Sequence, residues 1–243
     1  MSEYKRDEKN DYFIYDEPAY LNLGKRILEN GIYRQEKDEF GRYELFAQPL
    51  KFDLLGNKLS LLTTKRVFFP GLAYEMLWFI SGKTSIDFLK ENNINIWNIW
   101  ADENNDVGPL YGYQWNHWRV DPKLRSYIGS DEINQLDKTM KSLKDRPKAR
   151  SHVISAWRPD HAPAFSIKPC HVLMQFYRIP LTFEQRIKHA YNILDRDVYR
   201  DISEQIYMEK MNEESIHLLL NKKEIPRDGI SLQMTQRLQE RLH

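Results

Sequence analysis

The stretch IKPCHVLMQFY, residues 167–177, holds Cys170, the single cysteine of the chain, set between Pro169 and His171. A thiolate is a soft nucleophile that adds readily to an electron-poor carbon and leaves readily again. Positive charge close to a thiol favours that ionised form. A lone cysteine is equally at home in a core as a small, inert hydrophobe. The Cys-His pair alone does not decide between the two. A second candidate is Glu75, set in the apolar run AYEMLWF. A carboxylate buried without a partner is costly, and burial raises its pKa toward the neutral range where a general acid–base works. The opposing reading is that Glu75 faces water. Third, aromatic residues make up 13% of the chain and gather in NIWNIW and PLYGYQWNHW. They suit a wall that stacks a flat heterocycle, or an ordinary core.

These residues need elements to hold them. YDEPAYLNLGKRILENG, 15–31, has helical apolar spacing and a glycine stop at Gly31. Alternating apolar positions over 43–55 predict a turn and strands, and NKLSLLTTKRV a further β-rich piece. Pro70 opens a helix that carries Glu75 and ends at Gly82. TSIDFLKENNINIW, 84–97, predicts a helix capped by Thr84 or Ser85. ADENNDVGPLYGYQW is punctuated by Gly and Pro and predicts a loop. Residues 131–146 predict an amphipathic helix ending before Pro147. SHVISAW and CHVLMQFY predict strands, residues 181–223 two charged helices broken near Asp195–Asp201, and GISLQMTQR a last strand.

Composition excludes several classes. The chain has 243 residues, 41% hydrophobic and 29% charged, with 36 Lys+Arg against 35 Asp+Glu. That balance asks for no nucleic acid and no anionic membrane. The first residues lack the apolar stretch of a signal peptide, and no apolar run nears the roughly 18 residues of a spanning helix. One cysteine rules out an internal disulfide. A cytoplasmic location is expected.

Several motifs, in their order along the chain, resemble the thymidylate synthase family. They are LLTTKR (61–66), YEMLWFISGKTSIDFLKENNINIWNIWADENNDVGPLYGYQW (74–115), VISAWRPD (153–160), PCHVLMQFY (169–177) and SLQMTQR (231–237). The resemblance runs from about residue 18 to 237, with a gap at 178–229. It implies a methyltransferase of nucleotide biosynthesis that makes dTMP by reductive methylation of dUMP, with 5,10-methylenetetrahydrofolate as co-substrate and no metal. It implies an α+β fold: one large mixed β-sheet with helices on one face, packed sheet to sheet in a homodimer. The whole chain, 1–243, is expected to be a single domain of this kind, incomplete at its C-terminus, with 178–229 as a helical insertion.

The resemblance also assigns roles. Cys170 is the nucleophile that adds to carbon 6 of uracil. Glu75 relays protons around the ring through ordered water. Tyr111, with a water, removes the carbon-5 proton, and His171 joins the hydrogen-bond network or is structural. Arg237, beside Gln236, lies near thiol and substrate phosphate. Arg150 reaches the partner subunit's phosphate. Ile96, Trp97 and Trp100 line the folate pocket, and Lys65 with Arg66 lies near the folate's glutamate end.

Four departures from the family pattern bear on these roles. The phosphate-loop arginine falls on Lys37, which lacks the bidentate fork, unless Arg34 or Arg42 substitutes. The usual Arg-Arg pair is Arg150-Ser151. The segment 178–229 lies between strands usually joined by a short turn, an excursion that costs little in loop entropy. After Arg237 the sequence LQERLH matches nothing in the pattern, so a truncated or frameshifted product, poorly soluble and with little synthase activity, is expected. Two further readings stand beside the synthase: a pyrimidine-nucleotide hydroxymethylase of the same fold, in which water replaces hydride, and a non-catalytic nucleotide-binding relative.

Overall fold

The structure is a computed structural model that describes residues 16–35, 41–55 and 58–236. Candidates Lys37 and Arg237 lie outside the described residues, as does the side chain of Gln236. Among these residues two compact units emerge, one within 16–67 and 180–229, the other within 68–179 and 230–236.

The second unit carries the cysteine. Its first helix, Phe69–Ser81, starts with Pro70 inside the first turn and stops at Gly82, whose φ of 72° is the left-handed geometry that glycine adopts freely. Further helices run over Asp87–Glu91, Tyr111–Asn116, Arg125–Ile128 and Gln135–Asp145. The predicted loop 101–115 therefore ends in a helix, because Tyr111 and Trp115 are buried and bring their own turn into the core. Asp87–Glu91 starts later than the Thr84 or Ser85 cap predicts. Residues 84–86 instead bond the loop 105–107: Ile86 N–H donates to Asn105 O at 2.8 Å and Val107 N–H to Thr84 O at 3.2 Å. Gln135–Asp145 begins four residues later than predicted. Glu132–Ile133 pairs antiparallel with Trp118–Arg119 before the Asn134 side chain caps the helix by accepting from Asp137 N–H.

The largest sheet among the described residues has three strands: Val153–Ser155, His171–Pro180 and Asp228–Gln236, with His171–Pro180 in the middle. Val153–Ser155 is antiparallel to it, with Ile154 opposite Met174. Both of those side chains face one apolar cluster with Trp78, Phe79, Ile86, Leu89, Trp97, Tyr111 and Trp115. The fold is α+β with small sheets.

In the first unit, the helix Asp16–Asn30 is followed by the antiparallel pair Ile32–Arg34 and Arg42–Glu44. Residues 45–55 and 58–67 form no strand, although their alternation predicts one. They are held by side chains instead. The Glu17 carboxylate accepts from the backbone and hydroxyl of both Thr63 and Thr64 at 2.6–2.9 Å. The segment 180–229 supplies three helices where two are expected: Phe183–Ile193, Arg196–Met208 and Glu213–Lys222. Each has its own cap, Thr182, Asp195 and Asn212 respectively, which accepts from the first turn. A polar cap satisfies donors that would otherwise be orphaned, so three caps divide the stretch in three. Ala190, Ile216, Leu220 and Ile225 form their shared core.

Candidate functional site

We number the second unit's helices α1 (Phe69–Ser81) and α2 (Tyr111–Asn116), and its strands β1 (Val153–Ser155) and β2 (His171–Pro180). The α1 helix is strongly apolar because it is packed by Trp78 and Phe79 on one side and must hold Glu75 among them. The close approach of α2 to α1 depends on Gly112: a Cβ there would lie 2.0 Å from the backbone oxygen of Phe79. That contact sets the Tyr111 ring 4.7 Å from the Phe79 ring, centroid to centroid.

Tyr111 is the hub. Its hydroxyl accepts the backbone N–H of Cys170 at 2.7 Å. Its ring stands 5.3 Å from the His171 imidazole and edge-on to the Trp97 indole at 6.0 Å. Trp97 in turn donates from Nε1 to Glu75 Oε1 at 2.7 Å. Cys170, His171, Tyr111, Trp97 and Glu75 are thus one contiguous cluster, assembled from two helices, a turn and the mouth of a strand. Cys170 is half-buried, just before β2 and after the buried Pro169.

Burial pushes the Glu75 carboxyl up from its ordinary 4.5, only partly opposed by the Trp97 hydrogen bond. Burial also pushes the His171 imidazole down, so its neutral form is favoured. The His171 Nδ1 is buried and has no partner among the described residues. A neutral imidazole, a carboxyl poised toward protonation and a phenol bonded to the cysteine's own amide can hold and pass protons beside a thiol.

The other candidates fall elsewhere. Trp97 is 7% exposed, a wall of the cluster, whereas Ile96 and Trp100 on the same turn-rich segment are 48% and 37% exposed. Arg150 is exposed just ahead of β1. Lys65 and Arg66 are exposed in the first unit, on the bend that Glu17 fixes. Arg34 and Arg42, the substitutes considered for Lys37, both pair with Glu44: Arg34 Nε lies 2.7 Å from Glu44 Oε2, and Arg42 Nε contacts Oε1.

Some residues escaped the sequence. Gln135 clamps the site's scaffold, donating to Gln114 O at 2.7 Å and Ser155 O at 2.9 Å while accepting from Ser155 N–H at 3.0 Å. Gln114 is fully buried, donates to Pro109 O at 2.7 Å, and its Nε2 stands 3.0 Å from His161 Nδ1. The only signal for Gln114 was its place in GYQW, and nothing local marked Gln135.

Fold and site together define an α+β protein that presents one cysteine at the mouth of a strand, against a buried wall of aromatic rings and one carboxyl. The chain belongs to the thymidylate synthase family, whose sequence model matches residues 18–222. That span takes in the larger part of segment 178–229. A thymidylate synthase of Vesicomyosocius okutanii subsp. Calyptogena okutanii (strain HA) is 38% identical over 158 residues, 65% of this chain and 57% of that protein. The chain therefore spans a little over half the length of that relative. The family is one of methyltransferases. No helix among the described residues is long and apolar enough to cross a membrane, and these residues hold no group of three or more His, Cys, Asp and Glu side chains that would bind a metal.

Proposed function

We propose that this chain carries the site of a thymidylate synthase, acting on dUMP as a homodimer in the cytoplasm. The observation that carries the reading is the 2.7 Å bond from the Cys170 backbone amide to the Tyr111 hydroxyl, which anchors the cysteine's backbone to the ring that meets the Trp97–Glu75 pair. In this reading the Cys170 thiolate adds to carbon 6 of uracil. The electron pair of the 5,6 double bond moves toward O4, which makes carbon 5 a nucleophile. Glu75, with its carboxyl raised toward neutrality, holds the proton that the developing oxyanion needs. The Tyr111 hydroxyl, which accepts from the Cys170 amide, holds in place the water that takes the carbon-5 hydrogen as a proton. Expulsion of the Cys170 thiolate then restores the double bond.

When bound, 5,10-methylenetetrahydrofolate supplies both the one-carbon unit and the hydride and leaves as dihydrofolate. The residues present fit such a group. Ile96 and Trp100 offer uncovered apolar and aromatic surface next to buried Trp97, suited to a flat pterin ring. The resemblance assigns Lys65 and Arg66 to the co-substrate's anionic tail. Arg150 is assigned to the partner subunit's substrate phosphate, with Arg237, Gln236 and Lys37 as further phosphate and nucleotide contacts. The large sheet and the sheet-to-sheet dimer of the family belong to the same proposal.

The test is covalent capture. Incubation with 5-fluoro-deoxyuridylate and 5,10-methylenetetrahydrofolate is expected to add the mass of both to the peptide containing Cys170, and Cys170→Ser to remain unmodified. An unmodified wild-type chain at saturating ligand sinks the reading. With dUMP, a methyl product supports the synthase and a hydroxymethyl product the related hydroxymethylase.

A further inference from the structure

The first unit contains a buried cation that the proposed chemistry does not use. Arg186, on the helix Phe183–Ile193, is 1% exposed. Its guanidinium donates from Nε to Pro226 O at 3.0 Å and from Nη2 to Asn221 Oδ1 at 2.9 Å and Ile225 O at 2.8 Å. Nη1 lies 2.6 Å from His217 Nδ1, an acceptor in the neutral ring, which leaves one Nη1 N–H over. Arg227 donates from Nε to the same Asn221 Oδ1 at 3.0 Å. Two guanidinium groups thus share one neutral amide oxygen, and no ion pair reaches either of them among the described residues.

A buried charge is ordinarily matched by an opposite one, because desolvation is otherwise uncompensated. Here each guanidinium repels the other: burial, and then Arg227, hold the Arg186 guanidinium below its usual range. Both line a cleft of about 400 Å³ together with His217, Leu181 and Leu218. Glu214 and Asp228 stand on its wall as well, and Glu214 adds an acceptor for a ligand's own N–H or O–H groups beside the guanidinium donors. The Arg227 terminal nitrogens have no acceptor among the described residues, and a planar fork of that kind matches carboxylate or phosphate oxygens in pairs.

We infer that this cleft is an oxyanion site, with Arg227 as the fork that grips the ligand and Arg186 as the buried charge that deepens its attraction. It takes the carboxylate or phosphate group of a small molecule and lies in the unit that does not contain Cys170.

The test is calorimetric titration of the whole chain with inorganic phosphate and, separately, with acetate, each at constant ionic strength in chloride. Saturable binding of at least one is expected. Arg227→Leu, an exposed position that spares the packed Arg186, is expected to weaken it tenfold or more. Arg150→Ala, which removes a phosphate contact of the proposed nucleotide site, is expected to leave it unchanged. Phosphate bound more tightly than acetate identifies a phosphate ligand, and the reverse a carboxylate. Binding that survives Arg227→Leu, binding abolished by Arg150→Ala, or no binding of either anion overturns the assignment. None of these results bears on covalent capture at Cys170.

Discussion

At the scale of the residue, the site is organised by a phenol. Tyr111 accepts the Cys170 amide, stands against His171 and meets Trp97, while Trp97 donates to Glu75. The carboxyl is the titratable member whose shift makes a stability prediction. Its folded pKa lies above the ordinary 4.5, so between those two values the native state binds more protons than the unfolded state. Stability must then fall as pH rises through that window. Glu75→Gln keeps an oxygen to accept from Trp97 Nε1 and removes the titration. The variant is expected to melt close to wild type at pH 4 and above it at pH 8, read by calorimetry across the pH range. The same change is expected to remove the acid–base limb that Glu75 contributes to the pH profile of adduct formation. A constant difference in melting temperature at every pH would mean that Glu75 is not the titrating group.

At the scale of the element, two contacts decide whether the parts meet. Gly112 admits the Phe79 carbonyl where any side chain would collide. Gly112→Ala is expected to cost about 1–3 kcal/mol, the usual range for overpacking, seen as a lower urea midpoint at unchanged slope. Adduct formation at Cys170 should slow as well, since Tyr111 moves with its helix. The second contact is Glu17. Its hydrogen bonds from Thr63 and Thr64, the Thr63 hydroxyl first, hold its pKa at about 2, well below the ordinary 4.5. The native state is the weaker proton binder here, so this contribution is fully present above pH 4.5 and is lost as pH falls through about 2. Glu17→Ala frees the bend at every pH. Trypsin at neutral pH should then cut after Lys65 and Arg66 faster than in wild type. Equal cleavage rates would show that other contacts hold the bend.

At the scale of the molecule, the described residues build two apolar clusters that share no member, one around Trp78, Phe79 and Tyr111, the other around Ala190, Ile216 and Leu220. All six tryptophans fall between Trp78 and Trp157, in the second unit, so indole fluorescence reports on that unit. Leu220 is fully buried in the other. Leu220→Ala is expected to cost its own cluster about 2–5 kcal/mol. The loss should appear in the far-ultraviolet helix signal of thermal melts, with the tryptophan transition and Cys170 capture nearly unmoved. A matching drop in the tryptophan transition would show that the two cores melt as one.

Much of this was written locally. Pro70 and Gly82 bound a helix because one tolerates a missing N–H and the other the left-handed stop. The order of YEMLWF, IWNIWADEN, GPLYGYQW and PCH was enough to mark Glu75, Trp97, Tyr111 and Cys170 as candidates. Alternation held at Arg42–Glu44 but misled over 45–55 and 58–67, because an apolar–polar rhythm makes a strand only where a neighbour completes the ladder. Three side-chain caps, invisible to hydrophobic period, divided 181–223 into three helices. The amino-acid order by itself determined which groups are chemically able to act. Only the tertiary structure decided that the phenol lies on the cysteine's amide, that an indole N–H meets the carboxyl, and that two guanidinium groups share one amide oxygen. Each of those contacts joins residues 22 to 59 positions apart or rests on a turn folded back on a helix, and separations of that size are closed by packing rather than by local preference.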